Sequence, residues 1–292
     1  MRKEFFSTIE KLAIADDKIR FLTGDVGFMA CESLQKAIGD RFINCGVAEA
    51  NMMSMAAGMA SQGLKPVVYS IAPFVTARCL EQIKVDVCLH NMNVKIVGNG
   101  GGYGYGIMGA THHSIEDIAI MSCLQNMKCY VPCNNNDVSF VTNWMMYQSE
   151  PAYLRLGYGE DTCMWREYYP IRKLSAGNKA TIIGIGPVVL NAIGLGADVF
   201  AINEVPFTLD NEVIASIART EKLIVIEEHV KRGGIGEMIA HELMMLANAK
   251  DNIVFKHLYA KGYQNGLYGS QAYHQKENRL DKKSIEEAVN GI

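Results

Sequence analysis

Several residues in this chain could do chemistry, and their spacing decides which chemistry is open to them. Glu49 stands between small residues in GVAEAN (46–51), at the start of an apolar run. On its own, a glutamate there is a partner for the helix dipole or a cap. His112, His113 and Glu116 fall within GATHHSIED (109–117) and suggest a metal site. The two histidines are adjacent, however, so a strand would point them to opposite faces and a helix would set them about 100° apart. A histidine that bonds substrate and relays protons suits the pattern better. The loop GNGGGYGYG (98–106) looks like a phosphate cradle, but no helix with an acidic residue at the right distance follows, which makes it a weak dinucleotide fingerprint. GIGPV (184–188) follows a strand and is incomplete in the same way. Arg155 lies in a short strand-like run, PAYLRLG (151–157), either as a surface arginine or as a fork for phosphate oxygens. Glu227, Glu228 and His229 again suggest a metal site. Cys129 and Cys133 are the nearest cysteine pair, and without a matching second pair they predict no zinc site.

The elements that must position these groups alternate. Residues 4–15 read as a surface helix and Ile19 to Thr23 as a strand. Residues 46–62 are small or apolar on all sides, which predicts a buried helix, closed by Gly63 and Pro66. PVVYSIA is then a strand, 76–90 a helix, VKIVG (94–98) a strand, 114–124 a helix with Ser114 as cap, and KCYVPC a strand. A second alternating segment runs from KATIIGIG through VFAINEV, DNEVIASIART, KLIVIEEH and GIGEMIAHELMMLANA to a helix from about 283. Alternation of this kind predicts parallel sheets covered on both faces, an α/β fold with two doubly wound domains. The intervening 157–178 mixes Gly, Pro, charge and aromatics and reads as an interdomain connection.

Composition bounds the function classes. The chain has 292 residues, 49% of them apolar and 20% charged, with a formal net charge of −3. No basic block or acidic tail argues for nucleic acid or an anionic membrane. The eight cysteines mostly sit in apolar runs, as buried free thiols would in a reducing compartment. The start, MRKEFFSTIEKLA, lacks the features of a signal peptide, and no uncharged apolar run reaches the length of a membrane span, so a cytoplasmic protein is expected.

The stretch GDRFINCGVAEANMMSMAAGMASQGLKPVVYS resembles the pyrimidine-binding domain of transketolases and deoxyxylulose-phosphate synthases. Asn51 and Met52 of their motif are retained, while Ala50 replaces the usual Gln. The resemblance implies thiamine diphosphate as cofactor and Glu49 as the carboxyl that favours the imino form of its aminopyrimidine. Burial would keep such a carboxyl able to share a proton near neutral pH. GATHHSIED resembles the run that carries the family's substrate-facing histidine, here His112. YSIAPFVTARCLEQI (69–83) resembles the segment that stacks aromatics on the pyrimidine. Ser70, Arg78 and Gln82 match there, but the usual aromatic positions hold Ala72 and Val75, so the ring would rest on Phe74, one place out of register, or on aliphatic groups. The family's sugar-reading His and Asp fall at Gly100 and Met108, which implies a substrate other than the ordinary ketose phosphates. Arg155 matches the arginine that binds the sugar phosphate. VIEEHVKRGGIGE (225–237) resembles a structural turn of the family's carboxy-terminal domain. The segment after GIGPV leaves about half the helix normally found there.

The family's G-D-G…N motif for Mg²⁺ and diphosphate is missing. The resemblance therefore divides the chain into a pyrimidine-binding domain (1–158), a linker (159–178) and a transketolase carboxy-terminal-like domain (179–292). It implies that Mg²⁺ is held mainly by a partner, an amino-terminal subunit with which the chain forms an α2β2 heterotetramer. The expected activity is transfer of a two-carbon ketol or related acyl unit to a sugar aldehyde or ketone. The alternatives are the beta subunit of a pyruvate- or acetoin-dehydrogenase-type enzyme, and a non-catalytic scaffold subunit.

Overall fold

The structure, a computed structural model, describes residues 1–159, 167–246 and 252–291. In chain order the first part comprises α1 (Arg2–Ala15), β1 (Ile19–Thr23), α2 (Glu32–Ile38), β2 (Phe42–Asn44), α3 (Glu49–Ser61) and β3 (Lys65–Ile71). It continues with the short helices α4 (Ala72–Val75) and α5 (Leu80–Gln82), then β4 (Lys95–Asn99), α6 (Asp117–Ser122), β5 (Lys128–Tyr130), α7 (Asn135–Tyr147) and β6 (Ala152–Leu156). The second part has β7 (Ile171–Ser175), β8 (Thr181–Ile185), β9 (Asp198–Ile202), β10 (Glu204–Val205), α8 (Asn211–Thr220), β11 (Lys222–Glu227), α9 (Ile235–Met245), β12 (Val254–Tyr259), α10 (Gln271–Glu277) and α11 (Lys282–Asn290).

The first sheet has the order β10-β5-β6-β4-β3-β1-β2 and is parallel except for β10. Its strands are apolar on both faces because both are covered. Leu22, Val68 and Ile96 pack with Met52, Met53, Val87 and Ile118 on one side. Phe21, Tyr69 and Val97 pack with Phe5, Ile9 and Val141 on the other. Chain order reverses about β1: the path runs outward to β2, then crosses back to β3 on the opposite side. In open α/β sheets such a switch point leaves a crevice at the carboxyl ends of the strands. The second sheet, β12-β11-β8-β9-β7, is parallel except for β7. One apolar cluster runs through both domains, joining Val68 and Met121 to Ile183, Ile202 and Val225.

The two doubly wound α/β domains agree with the fold expected from sequence. Only a 3₁₀ segment, Pro187–Ala192, joins β8 to β9, in keeping with the shortened crossover read there. Three details differ. Ile171–Ser175, within the stretch read as a connection, is the antiparallel edge strand β7. Ser114 does not cap α6, which begins at Asp117; its backbone instead forms a bridge with Gly102. α3 is buried on one face only, through Glu49, Met52, Met53, Ala56 and Ala57, while Asn51, Ser54 and Gly58 lie open. Among the described residues no helix is long and apolar enough to cross a membrane. Cys163 and the end of the helix read to 249 lie outside the described residues.

Candidate active site

The crevice at the switch point gathers groups from three strand ends. Glu49 is the first residue of α3 and only 2% exposed. Gly24, just past β1, makes room for it: a Cβ there would come within 3.3 Å of the Glu49 Cγ. Arg78 Nη1 donates to Glu49 Oε2 at 2.8 Å, although the arginine side chain is 43% exposed. The pair is thus buried at its acidic end and wet at its basic end. The Arg78 guanidinium lies over the Phe74 ring, 3.9 Å from its centroid, a cation–π contact. Ala72 and Val75 turn into the core, while Phe74, in the same short helix, is half-buried. The one aromatic in this segment therefore faces the crevice rather than the core. Cys79 beside it is no nucleophile, because burial, with the charge of Glu49, pushes its thiol up to about 12.

His112 meets Phe74 edge-on at 5.3 Å between centroids and Tyr105 at 5.7 Å. Its Nδ1 lies 2.9 Å from Thr111 Oγ1. Asn99, the last residue of β4, donates from Nδ2 to the Tyr105 hydroxyl at 2.9 Å. Glu49, Arg78, Phe74, His112, Tyr105 and Asn99 form one connected row. Nothing in spacing singled out Tyr105. The available signal was an aromatic set among glycines in GNGGGYGYG.

Three residues expected to meet the substrate take other roles. Gly100 is buried, with φ +79°, and a Cβ there would clash with the Tyr105 ring. It serves as the seat of Tyr105 and presents no side chain to a ligand. Met108 is 53% exposed on a short 3₁₀ turn beside the still more open Ile107, so it lines no enclosed pocket in this chain. Arg155 is only 4% exposed. Its Nε lies 3.0 Å from Asp117 Oδ2, and its Nη2 donates to the carbonyls of Ser114 and Glu228 at 2.9 and 3.0 Å. Tyr153 donates to the same Asp117 oxygen at 2.6 Å. The expected phosphate arginine is instead committed to the seam between the domains.

His113 lies in that seam too. Its Nε2 is 2.7 Å from the Gly106 carbonyl and its Nδ1 2.8 Å from the Tyr263 hydroxyl. The carbonyl can only accept, so Nε2 carries the proton and Nδ1 accepts from the tyrosine. Burial lowers its pKa, which agrees with a neutral ring. Glu227 caps α9, accepting from the amides of Ile235 and Gly236 at 2.9 and 3.0 Å and meeting His257 Nε2 at 2.6 Å. His229 Nε2 accepts from the amide of Ala119. The EEH triplet is thus a structural turn, and among the described residues no cluster could hold a metal.

Residues 1–159 match the family model for the transketolase pyrimidine binding domain, and residues 171–258 match that for the transketolase C-terminal domain. An apulose-4-phosphate transketolase subunit of Phocaeicola vulgatus is 32% identical over 259 residues, covering 83% of each chain. The 6-deoxy-6-sulfo-D-fructose transketolase subunit SqwH of a Clostridium species is 28% identical, over 82% of this chain and 79% of that one. Among solved structures, a split-gene transketolase described as an inactive beta4 tetramer superposes with a TM-score of 0.83 at 25% identity, over 99% of this chain and 96% of that one. Transketolase of Campylobacter jejuni shares the fold, with a TM-score of 0.75 at 13% identity, over all of this chain but 46% of that one.

Proposed function

This chain belongs to the transketolase family, and from that premise we propose that it is the pyrimidine-domain subunit of a split, thiamine-diphosphate-dependent ketol transferase. The observation that carries the reading is the buried Glu49 carboxyl beside the half-open Phe74 ring at the switch point of the first sheet. These residues fit an aminopyrimidine: a flat heterocycle needs an aromatic face and one proton-sharing edge, and Gly24 leaves space in front of the carboxyl. Thiamine diphosphate, when bound, would supply the carbon that accepts and passes on the two-carbon unit.

The chain's own residues then have distinct tasks. Glu49 holds a proton at the pyrimidine nitrogen, and Arg78 orients the carboxyl through one oxygen, leaving the other free. Phe74 packs on the ring. His112 bonds the substrate and moves a proton at its carbonyl or hydroxyl oxygen. The substrate would be a sugar phosphate or a similar anionic sugar, as the relatives that act on apulose 4-phosphate and sulfofructose suggest. Those relatives are described as subunits, and the uncovered face of α3 with exposed Val47 offers a place for a partner. In this reading the partner holds Mg²⁺ and the diphosphate, and the assembly is α2β2.

Calorimetry on the isolated chain tests the reading. With thiamine diphosphate and Mg²⁺ we expect no tight binding, and binding should appear once a chain bearing the G-D-G…N motif is added. Micromolar binding by the isolated chain would refute the division of labour.

A further inference from the structure

The two polar side chains with which the family reads sugar hydroxyls have no counterpart in this crevice, because Gly100 is a seat and Met108 stands on an open turn. The space above Gly100 is not empty. Tyr105 fills it, and its ring packs so close that no residue with a Cβ fits at position 100. The tyrosine is held from two sides. Its ring meets His112 edge-on at 5.7 Å, and its oxygen accepts from Asn99 Nδ2 at 2.9 Å. Asn99 is itself 7% exposed and fixed at the end of β4, so the phenol has little freedom. A phenol offers one donor and can accept as well. With Asn99 filling an accepting site, the Tyr105 proton has no acceptor among the described residues. The half-buried Tyr105 lines an open cavity together with Arg2, Asp25, Phe28, Tyr69 and Ile71.

Resting on the ketol-transferase reading, we infer that Tyr105, oriented by Asn99, is a specificity-determining residue. It donates a hydrogen bond to a sugar oxygen. The chemistry it recognises is a hydroxyl-bearing carbon chain, and an analogue without that oxygen would leave the phenol unpaired. Such an unpaired donor is what separates a hydroxylated substrate from its deoxy analogue at this position.

The test uses the full chain reconstituted with its partner. Donors would be xylulose 5-phosphate, fructose 6-phosphate and apulose 4-phosphate. Acceptors would be ribose 5-phosphate, 2-deoxyribose 5-phosphate, erythrose 4-phosphate and glyceraldehyde 3-phosphate. Tyr105→Phe removes one oxygen and keeps the ring on its glycine seat, so the chain should still fold and assemble, with a melting temperature lowered only by the loss of the acceptor for Asn99 Nδ2. We expect wild type to favour at least one hydroxylated substrate over its poorer analogue, and Tyr105→Phe to shrink that kcat/KM ratio about tenfold, the scale of one neutral hydrogen bond. Asn99→Ala, which frees the phenol to turn, should shrink the same ratio. Ratios unchanged in both variants, or an equal loss on every substrate, would overturn the specificity role while leaving the ketol-transferase reading intact. Absence of thiamine-diphosphate-dependent turnover by the wild-type pair on any donor would overturn both.

Discussion

His112 and His113 are neighbours in the chain and belong to opposite worlds. His112 stands in a row with Arg78, Phe74 and Tyr105, each held from one side and partly open on the other, around the buried Glu49. His113 sits 3% exposed in the interdomain seam with both ring nitrogens engaged, ringed by Tyr103, Tyr263 and His274. The arginines repeat the contrast. Arg78 lends one nitrogen to a buried carboxylate and keeps a wet flank, while Arg155 is enclosed by protein acceptors. Residue type therefore says little about role in this chain, and the completeness of each group's partners says more. In the proposed reading the half-satisfied row takes the ligand, whereas the closed seam fixes the geometry around it.

Four experiments can break or sharpen that contrast. Glu49→Gln keeps the shape of the carboxyl and removes its proton sharing, so turnover of the reconstituted enzyme should fall by about 10²–10⁴-fold. Circular dichroism and assembly should stay unchanged, and normal turnover would place Glu49 among the merely structural residues. Arg155→Met strands Asp117 in the seam, which should cost about 3–5 kcal/mol in urea unfolding. A variant of wild-type stability that only raises the KM for phosphorylated substrates would move Arg155 into the active site.

The third experiment follows the pH dependence of the seam. Burial pushes the Glu228 carboxyl up to about 7, although Gln271, Gln275 and Arg155 favour its charge. Between the ordinary value of 4.5 and about 7 the folded chain holds a proton that the unfolded chain has released. Stability therefore falls as pH rises through that window. Glu228→Gln has no proton to lose, so its stability relative to wild type should improve by about 3 kcal/mol from pH 4 to pH 8. His113 and His274, whose pKa values burial lowers, destabilise the fold as pH drops below 6.5, but they do so in both proteins and cancel in the difference. A pH-independent difference would mean that Glu228 is not desolvated. The smallest effect is expected from Arg78→Ala. It leaves the buried Glu49 carboxyl without its partner, but water can enter from the exposed flank, so the loss of stability should be about 1–2 kcal/mol by thermal melting, while cofactor affinity of the assembled enzyme falls. A larger loss of stability would make Arg78 part of the closed framework.

The strands were legible in sequence because β3, β4, β8 and β11 are apolar runs bounded by turn residues, a pattern that only a sheet covered on both sides explains. Glu49 was legible as a polar residue among small ones at a helix start. What escaped depended on partners distant in sequence. Arg155 finds its acceptors 41 and 73 residues away, and no local pattern marks a strand-end arginine as buried. β7 was hidden because an edge strand such as IRKLS need not be apolar. Ser114 satisfied the local rule for a cap, but its backbone was claimed by Gly102. α3 misled because small residues all round suit a buried helix, and nothing local marks the face of Asn51, Ser54 and Gly58 that this chain leaves open.

The two-residue strand β10 has a practical consequence. It belongs to the second domain by sequence, yet it closes the outer edge of the first sheet against β5, with Lys128 and Glu204 paired across it at 3.0 Å and the Val131 amide donating to the Asn203 carbonyl. A fragment cut after residue 159 would lose this cover and present the bare backbone of Lys128–Tyr130 as a template for other chains. Such a fragment should be prone to precipitate even if its own core is complete. For anyone shortening or fusing this protein, the junction between its domains is the wrong place to cut.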